Sequence, residues 1–142
     1  MKTRTLLLLA LGCGLAIMLA GAVFLFRLST QEALADPIPL GELTTVGDMS
    51  VMVDSAVEQD GLLDITVVIG GVVDSDGAAG FRLIASGRPL SAEPYVESAG
   101  ICAATSSVQQ TCHVRFDVSS ADGSSRVLFY ERGDQQARWV LG

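Results

Sequence analysis

No lysine follows Lys2 in this chain of 142 residues, and beyond Asp36 the only cations are six arginines, each set singly among acids. Fifteen of the sixteen carboxylates lie from Asp36 onward, so against those six arginines that segment carries a net charge of −9. With no basic patch to track phosphates, nucleic acid is not an expected partner, and anionic lipid headgroups would repel this part of the chain. Histidine is nearly absent too. His113 is the sole one, and a Ser-His-Asp arrangement would have to be built on it with no identifiable nucleophile. The sequence also lacks a G-x-S-x-G elbow, a phosphate-binding loop and an H-E-x-x-H pair. These gaps argue against an enzyme and give no reason to expect a cofactor. Internal repeats and low-complexity tracts are missing as well, and the length suits one hydrophobic core plus a targeting segment.

Charge is wholly absent from residues 6–26, LLLLALGCGLAIMLAGAVFLF, and about twenty helical residues at ~1.5 Å each cross a ~30 Å hydrocarbon layer. This run accounts for much of the mean hydropathy of +0.45. Lys2 and Arg4 precede it, which retains the N-terminus in the cytoplasm and sends the remainder across the plasma membrane as a single-pass protein. Residues 1–27 are therefore read as a signal-anchor or signal-peptide helix. Ala33 and Ala35, followed by Asp36, form the small-x-small pattern read by signal peptidase, and cleavage after Ala35 would instead give a secreted domain. Both outcomes stay open, although the apolar run is longer than the usual signal core. Ala10-Leu11-Gly12-Cys13 is a poor lipoprotein cleavage motif, because the apolar stretch continues well past Cys13. Residues 28–41 hold Pro37 and Pro39 and read as an extended linker.

From residue 42 to 142 the hydrophobic period is two. Val51 and Val53 alternate with polar residues, as do Leu63, Ile65, Val67 and Ile69, and Gln59-Asp60-Gly61 separates the two runs as a hairpin turn would. Further strands are expected at 81–85, 111–118, 126–132 and 137–141. Turn signals at Asp74-Ser75-Asp76-Gly77, Ser86-Gly87-Arg88-Pro89, Ala121 to Ser124 and Gly133-Asp134 punctuate them. Seven or eight short strands without a helical period point to an all-β, immunoglobulin-like antiparallel sandwich, with a closed barrel as the alternative. Phe81, Phe116, Phe129 and Trp139 are the expected aromatics of the core or its edge.

The order of these features resembles the bacterial DUF4352-type immunoglobulin-like domain, a family that includes relatives of a small secreted mycobacterial antigen. The resemblance runs from Val46 to Leu141. Val46 to Val53 looks like the family's opening strand and Gly61 to Ile69 like the next. Phe81-Arg82-Leu83 with Gly87-Arg88 is similar to its short strand and glycine turn, and Val114 to Val118 with Val127 to Tyr130 resembles its closing strands. Gly70-Gly71 and Val72-Val73 stand where many members place an Asn-x-Gly turn. The resemblance implies an exported or membrane-tethered sandwich and carries no catalytic residues.

The remaining candidates for chemistry are few. Cys102 and Cys112 are the only cysteines beyond the apolar run, and an even count in an oxidising compartment is expected to form a disulfide. A thiolate metal site lacks C-x-x-C spacing. His113 should face away from Cys112 on its strand, and with Met49 and Met52 as its only soft companions it does not make a metal site. Asp74-x-Asp76-Gly77 begins like a calcium loop, but position 85 is alanine where a glutamate would close it. Glu93 and Glu97 form a carboxylate pair without a context that separates their acidities. The segment from Ser86 to Gln110, with Pro94 and Tyr95, is the longest candidate binding loop. The reading is a non-catalytic cell-envelope module that binds an envelope or membrane protein. Its alternatives are an accessory single-pass subunit packed through Gly12 and Gly14, and an extracytoplasmic metal carrier.

Overall fold

The computed structural model describes residues 2–31, 36–94 and 99–142. The chain divides into two compact units, Met1–Leu34 and Ala35–Gly142. The first is a single helix, α1 (Thr3–Gln31), whose stretch Thr3–Leu28 is long and apolar enough to cross a membrane. Its side chains are exposed around the whole circumference over residues 3–28. An apolar surface without a polar face needs an apolar surrounding, either lipid or protein.

The second unit is a sandwich of two four-stranded antiparallel sheets, as expected from the period of two. One sheet has the order β1-β2-β3-β6, formed by Leu43–Val46, Met49–Gln59, Leu62–Gly70 and Gln110–Asp117. The other has the order β5-β4-β7-β8, formed by Arg88–Ser91, Phe81–Ala85, Arg126–Arg132 and Gln135–Val140. The chain changes sheet between β3 and β4, β5 and β6, and β6 and β7, which is the crossing pattern of an immunoglobulin-like sandwich. Met49, Val51, Ile65, Val67, Leu83, Phe116, Leu128 and Trp139 fill the space between the sheets with no solvent exposure.

Turn chemistry sets the registers. Asp60 and Gly61 both take positive φ, 53° and 79°, so the β2–β3 connection is a two-residue hairpin whose twist matches the strands. Ser86 and Gly87 do the same at 51° and 79°. As a result Arg88 and Pro89, expected in that turn, already belong to β5. The expected opening strand from Val46 to Val53 is also two strands, because Gly47 at φ 62° reverses the chain and pairs Val46 with Met49. β3 ends at Gly70, four residues before the acidic turn expected to end it. Phe129 lies half-buried on the outer face of its sheet, while Tyr130 takes the interior place and donates its hydroxyl to the Gly77 carbonyl at 2.7 Å.

Edge strands offer unpaired backbone groups to other chains, and this sandwich covers or shortens each of its edges. β1 and β5 have four residues each, and β5 carries Pro89. The β8 edge receives one bond, from the Ile38 amide to the Arg138 carbonyl at 2.8 Å, from a residue flanked by Pro37 and Pro39, which have no amide hydrogen to give. Ile38 also packs against the core. The end of the segment read as linker is therefore part of the sandwich.

Candidate functional site

Alternation along β3 and β6 turns Asp64, Thr66, His113 and Arg115 to the outer face, and the register sets Asp64 opposite Arg115 and Thr66 opposite His113. From there Asp64 binds both His113 and Arg115. Its Oδ1 lies 2.7 Å from His113 Nδ1, and its Oδ2 accepts from Arg115 Nε at 2.7 Å. Partial burial pushes the Asp64 carboxyl up, but the hydrogen bonds and charges of Arg115 and His113 outweigh it and leave its pKa below the ordinary 3.8. An ionised carboxylate only accepts, so His113 Nδ1 carries the proton of this hydrogen bond.

His113 stands between two depressions. One is a groove of about 680 Å³ along the outer face, lined by Val57, Gln59, Leu62 and Thr66. The other is a cleft of about 510 Å³ on the flank where β6 meets the second sheet, lined by Phe81, Arg82, Glu93, Ile101 and Cys102. Either volume suits a small ligand. Yet Asp76, Arg82 and Glu93 are all solvent-exposed, so none of these three is a desolvated acid or base of the kind that catalysis tunes. The arrangement can hydrogen-bond and pair charge with a docked molecule.

The sulfurs of Cys102 and Cys112 lie at disulfide distance, 2.03 Å. They fasten a strap to the outer edge of β6, the longest edge strand of the sandwich at eight residues. The His113 amide donates to Gly100 O at 2.9 Å, the Cys102 amide to His113 O at 2.8 Å, and further along the Glu93 amide to Arg115 O at 2.7 Å. Cys112 points inward, 8% exposed, and His113 outward. So short a loop stabilises by about 2–3 kcal/mol in a chain-entropy account. Replacing both cysteines with serine is expected to lower unfolding stability by about that amount. Hydrogen exchange should show the His113 amide accelerating more than that of Ile65, since Ile65 lies in the interior sheet strand β3 and not under the strap.

Several expected site residues land apart from this cluster. Ala33 and Ala35 lie outside the described residues, as do Tyr95 and Glu97, and Asp36 is exposed just beyond the first two. Met49 is buried in the core, and Met52, on the same outer face as His113, pairs with Val68 of β3 while His113 pairs with Thr66 from the other side, so β3 lies between them. Among the described residues no three His, Cys, Asp or Glu side chains gather as metal ligands. Asp74 is already engaged: its Oδ1 accepts from the Asp76 amide and its Oδ2 from Arg132 Nη1. Arg132 Nε also reaches Asp48 Oδ1 at 2.7 Å, so one guanidinium ties the β1–β2 turn to the β3–β4 connection.

Four aspartates thus sit below their ordinary 3.8. Asp48 is lowered chiefly by Arg132, Asp74 by the Asp76 amide and then Arg132, and Asp117 by the Ser119 hydroxyl and amide, with Asp64 as above. As pH falls the unfolded carboxylates take protons first, so unfolding then consumes protons. The stabilisation is complete above 3.8 and is lost as pH drops through the lower folded values. Urea melts from about pH 7 to about pH 3 should show that decline, and Asp64→Asn should flatten part of it.

No protein-family model matches this chain, and no curated protein does. Among solved structures it is similar to an uncharacterized β-sandwich protein of Clostridium difficile 630. The TM-score is 0.52 and the identity 11%, over 78% of this chain and 97% of that one. The shared feature is the β-sandwich. At that identity the likeness carries the fold alone. It agrees with the sandwich implied by the DUF4352-type resemblance, it does not reach the level of that family, and it indicates no catalytic family.

Proposed function

We propose that this chain is an exported cell-envelope module. Its helix holds it in the plasma membrane with the N-terminus cytoplasmic, and its sandwich binds an envelope or membrane protein without catalysis. The observation that carries this reading is the pairing of an all-round apolar helix with a β-sandwich whose two cysteines lie at disulfide distance. Such bonds persist where the compartment is oxidising. The DUF4352-type resemblance belongs to this proposal, since it implies the same location. In the groove beside His113 the Asp64 carboxylate is already held by His113 and Arg115, which supports docking over chemistry.

Cell fractionation combined with intact mass tests the reading. A full-length membrane-bound species lacking two hydrogens is the expected result. A soluble species that begins at Asp36 would retain the exported binding module and remove the anchor. A species with both thiols reduced, found in the cytoplasm, would overturn the proposal.

A further inference from the structure

β1 has four residues and β2 eleven, so the far half of β2 runs on past its neighbour. Pairing with β1 stops at Leu43 and Met52. Toward the N-terminus the chain then departs from β2 at Gly41, whose amide donates to the Val53 carbonyl, and by Ile38 it lies on the β8 edge. Over residues 55–59 β2 is paired with β3 alone. The two-residue turn at Asp60 and Gly61 closes on Gln59 and Leu62 as a bonded pair, and alternation makes Val57–Asp64 and Ser55–Thr66 bonded pairs as well. Ala56 and Glu58, opposite Ile65 and Leu63, are the non-bonded pairs between them, so their amides and carbonyls point away from β3. Among the described residues no backbone group outside the sheet bonds to either. An inward-pointing charge ordinarily guards an open edge. Glu58 turns inward, yet both its carboxylate oxygens already accept from Arg126, so a strand laid beside it meets a neutralised pair.

We propose that residues 55–59 are a strand-addition site, where an extended segment of a partner protein, apolar at its centre and basic at its ends, continues the sheet past β1. The inference rests on the binding-module reading and names the partner chemistry for it. Main-chain bonds to Ala56 and Glu58 hold the segment, and its outward apolar side chains lie beside Val57, which is 60% exposed. Charge chooses the occupant. Asp54 in the bulge and Glu42 beside it stand at one end of the open stretch and Asp60 at the other, all three exposed. Among the described residues none of the three has a salt bridge. Cations that could answer them are taken: Arg126 is held by Glu58, Arg115 by Asp64, and Arg138 of β8 is engaged as well. A second copy pairing edge to edge would set these carboxylates near their own counterparts, which is unfavourable. A bilayer has no ladder of amides and carbonyls to offer.

The test uses the full chain in phosphatidylcholine nanodiscs, with backbone amide hydrogen exchange read by NMR. The probe is the peptide Lys-Lys-Val-Thr-Val-Thr-Val-Lys-Lys, and its control carries glutamate in place of every lysine. The basic peptide is expected to slow exchange at Ala56 and Glu58 at least tenfold and to leave Val57, whose amide already serves the β3 ladder, unchanged. The acidic peptide should alter none of them. Amides of alternate residues leave the same side of a strand, so of two further peptides, one N-methylated at its valines and one at its threonines, one should lose the protection and the other keep it. Ala56→Pro removes an amide that the β3 ladder does not use and should abolish the protection. Asp54→Lys, at an exposed position, should weaken the basic peptide about fivefold and gives a reading even if the proline variant does not fold. No protection by the basic peptide, equal protection by both charge forms, undiminished protection by both N-methylated forms, or undiminished affinity in Asp54→Lys would overturn the proposal. So would protection without peptide that grows with protein concentration, which would make the edge a contact between copies. Failure here leaves the location measured by fractionation untouched, and a cytoplasmic location leaves the peptide titration standing.

Discussion

Replacing Trp139 with alanine is expected to lower unfolding stability by about 3–5 kcal/mol, the range for removing a large aromatic side chain from a packed core. Trp139 is the only tryptophan in the chain and is fully buried. It stands opposite Leu128 on the inner face, with Tyr130 and Ala137 in the pair beside it, and β8 is an edge strand that the core side chains hold in place. A domain of this size has a total stability of roughly 5–15 kcal/mol, so the variant should melt about 20 °C lower or fail to fold. Thermal melts of the full chain in detergent, followed by far-ultraviolet circular dichroism, read the effect. Among the described residues the indole Nε1 has no hydrogen-bond partner in its buried place. Trp139→Phe should therefore cost only about 1 kcal/mol, because it gives up volume while removing an unpaired donor.

Glu58→Ala is expected to cost about 3 kcal/mol, more than Arg126→Met at about 1 kcal/mol. Arg126 is 4% exposed, and its Nε and Nη2 donate to the two Glu58 carboxylate oxygens at 2.9 and 3.0 Å, across from one sheet to the other. The two partners are unequally buried, the Glu58 side chain being 41% exposed. Removing the carboxylate strands a guanidinium inside the sandwich with the Ser125 carbonyl as its remaining acceptor. Removing the guanidinium frees a carboxylate that water can solvate, and methionine refills the space. Urea melts of the two variants test the order. Equal costs, or a larger cost for Arg126→Met, would mean that Arg126 packing outweighs its charge.

The Glu58–Arg126 pair also shows where sequence reading stops. Strict alternation from Val51 and Val53 would carry Val57 into the core. The bulge between Val53 and Ser55 changes the phase, so Ala56 and Glu58 face inward and Val57 is 60% exposed. One unpaired residue in a strand leaves no compositional mark. Phe129 and Tyr130 are a similar case, since hydrophobicity favours the phenylalanine inside while the register set by the Arg132–Gln135 hairpin puts the tyrosine there. The partners of His113 were hidden for another reason. Asp64 and Arg115 are legible as outward residues of their strands, but their meeting across 49 and 51 positions depends on which strands pair and in what register.

The sequence by itself determined the apolar helix, the β-sandwich, the positions of most strands, the Asp60-Gly61 hairpin and the cysteine pair, because each follows from local periodicity, turn chemistry or count. Only the tertiary structure decided the two-strand opening hairpin, the strap on β6, the cross-sheet ion pair and the Asp64–His113–Arg115 cluster. All of these depend on non-local register, and in a sandwich of crossing connections register is set by how two sheets fill one core.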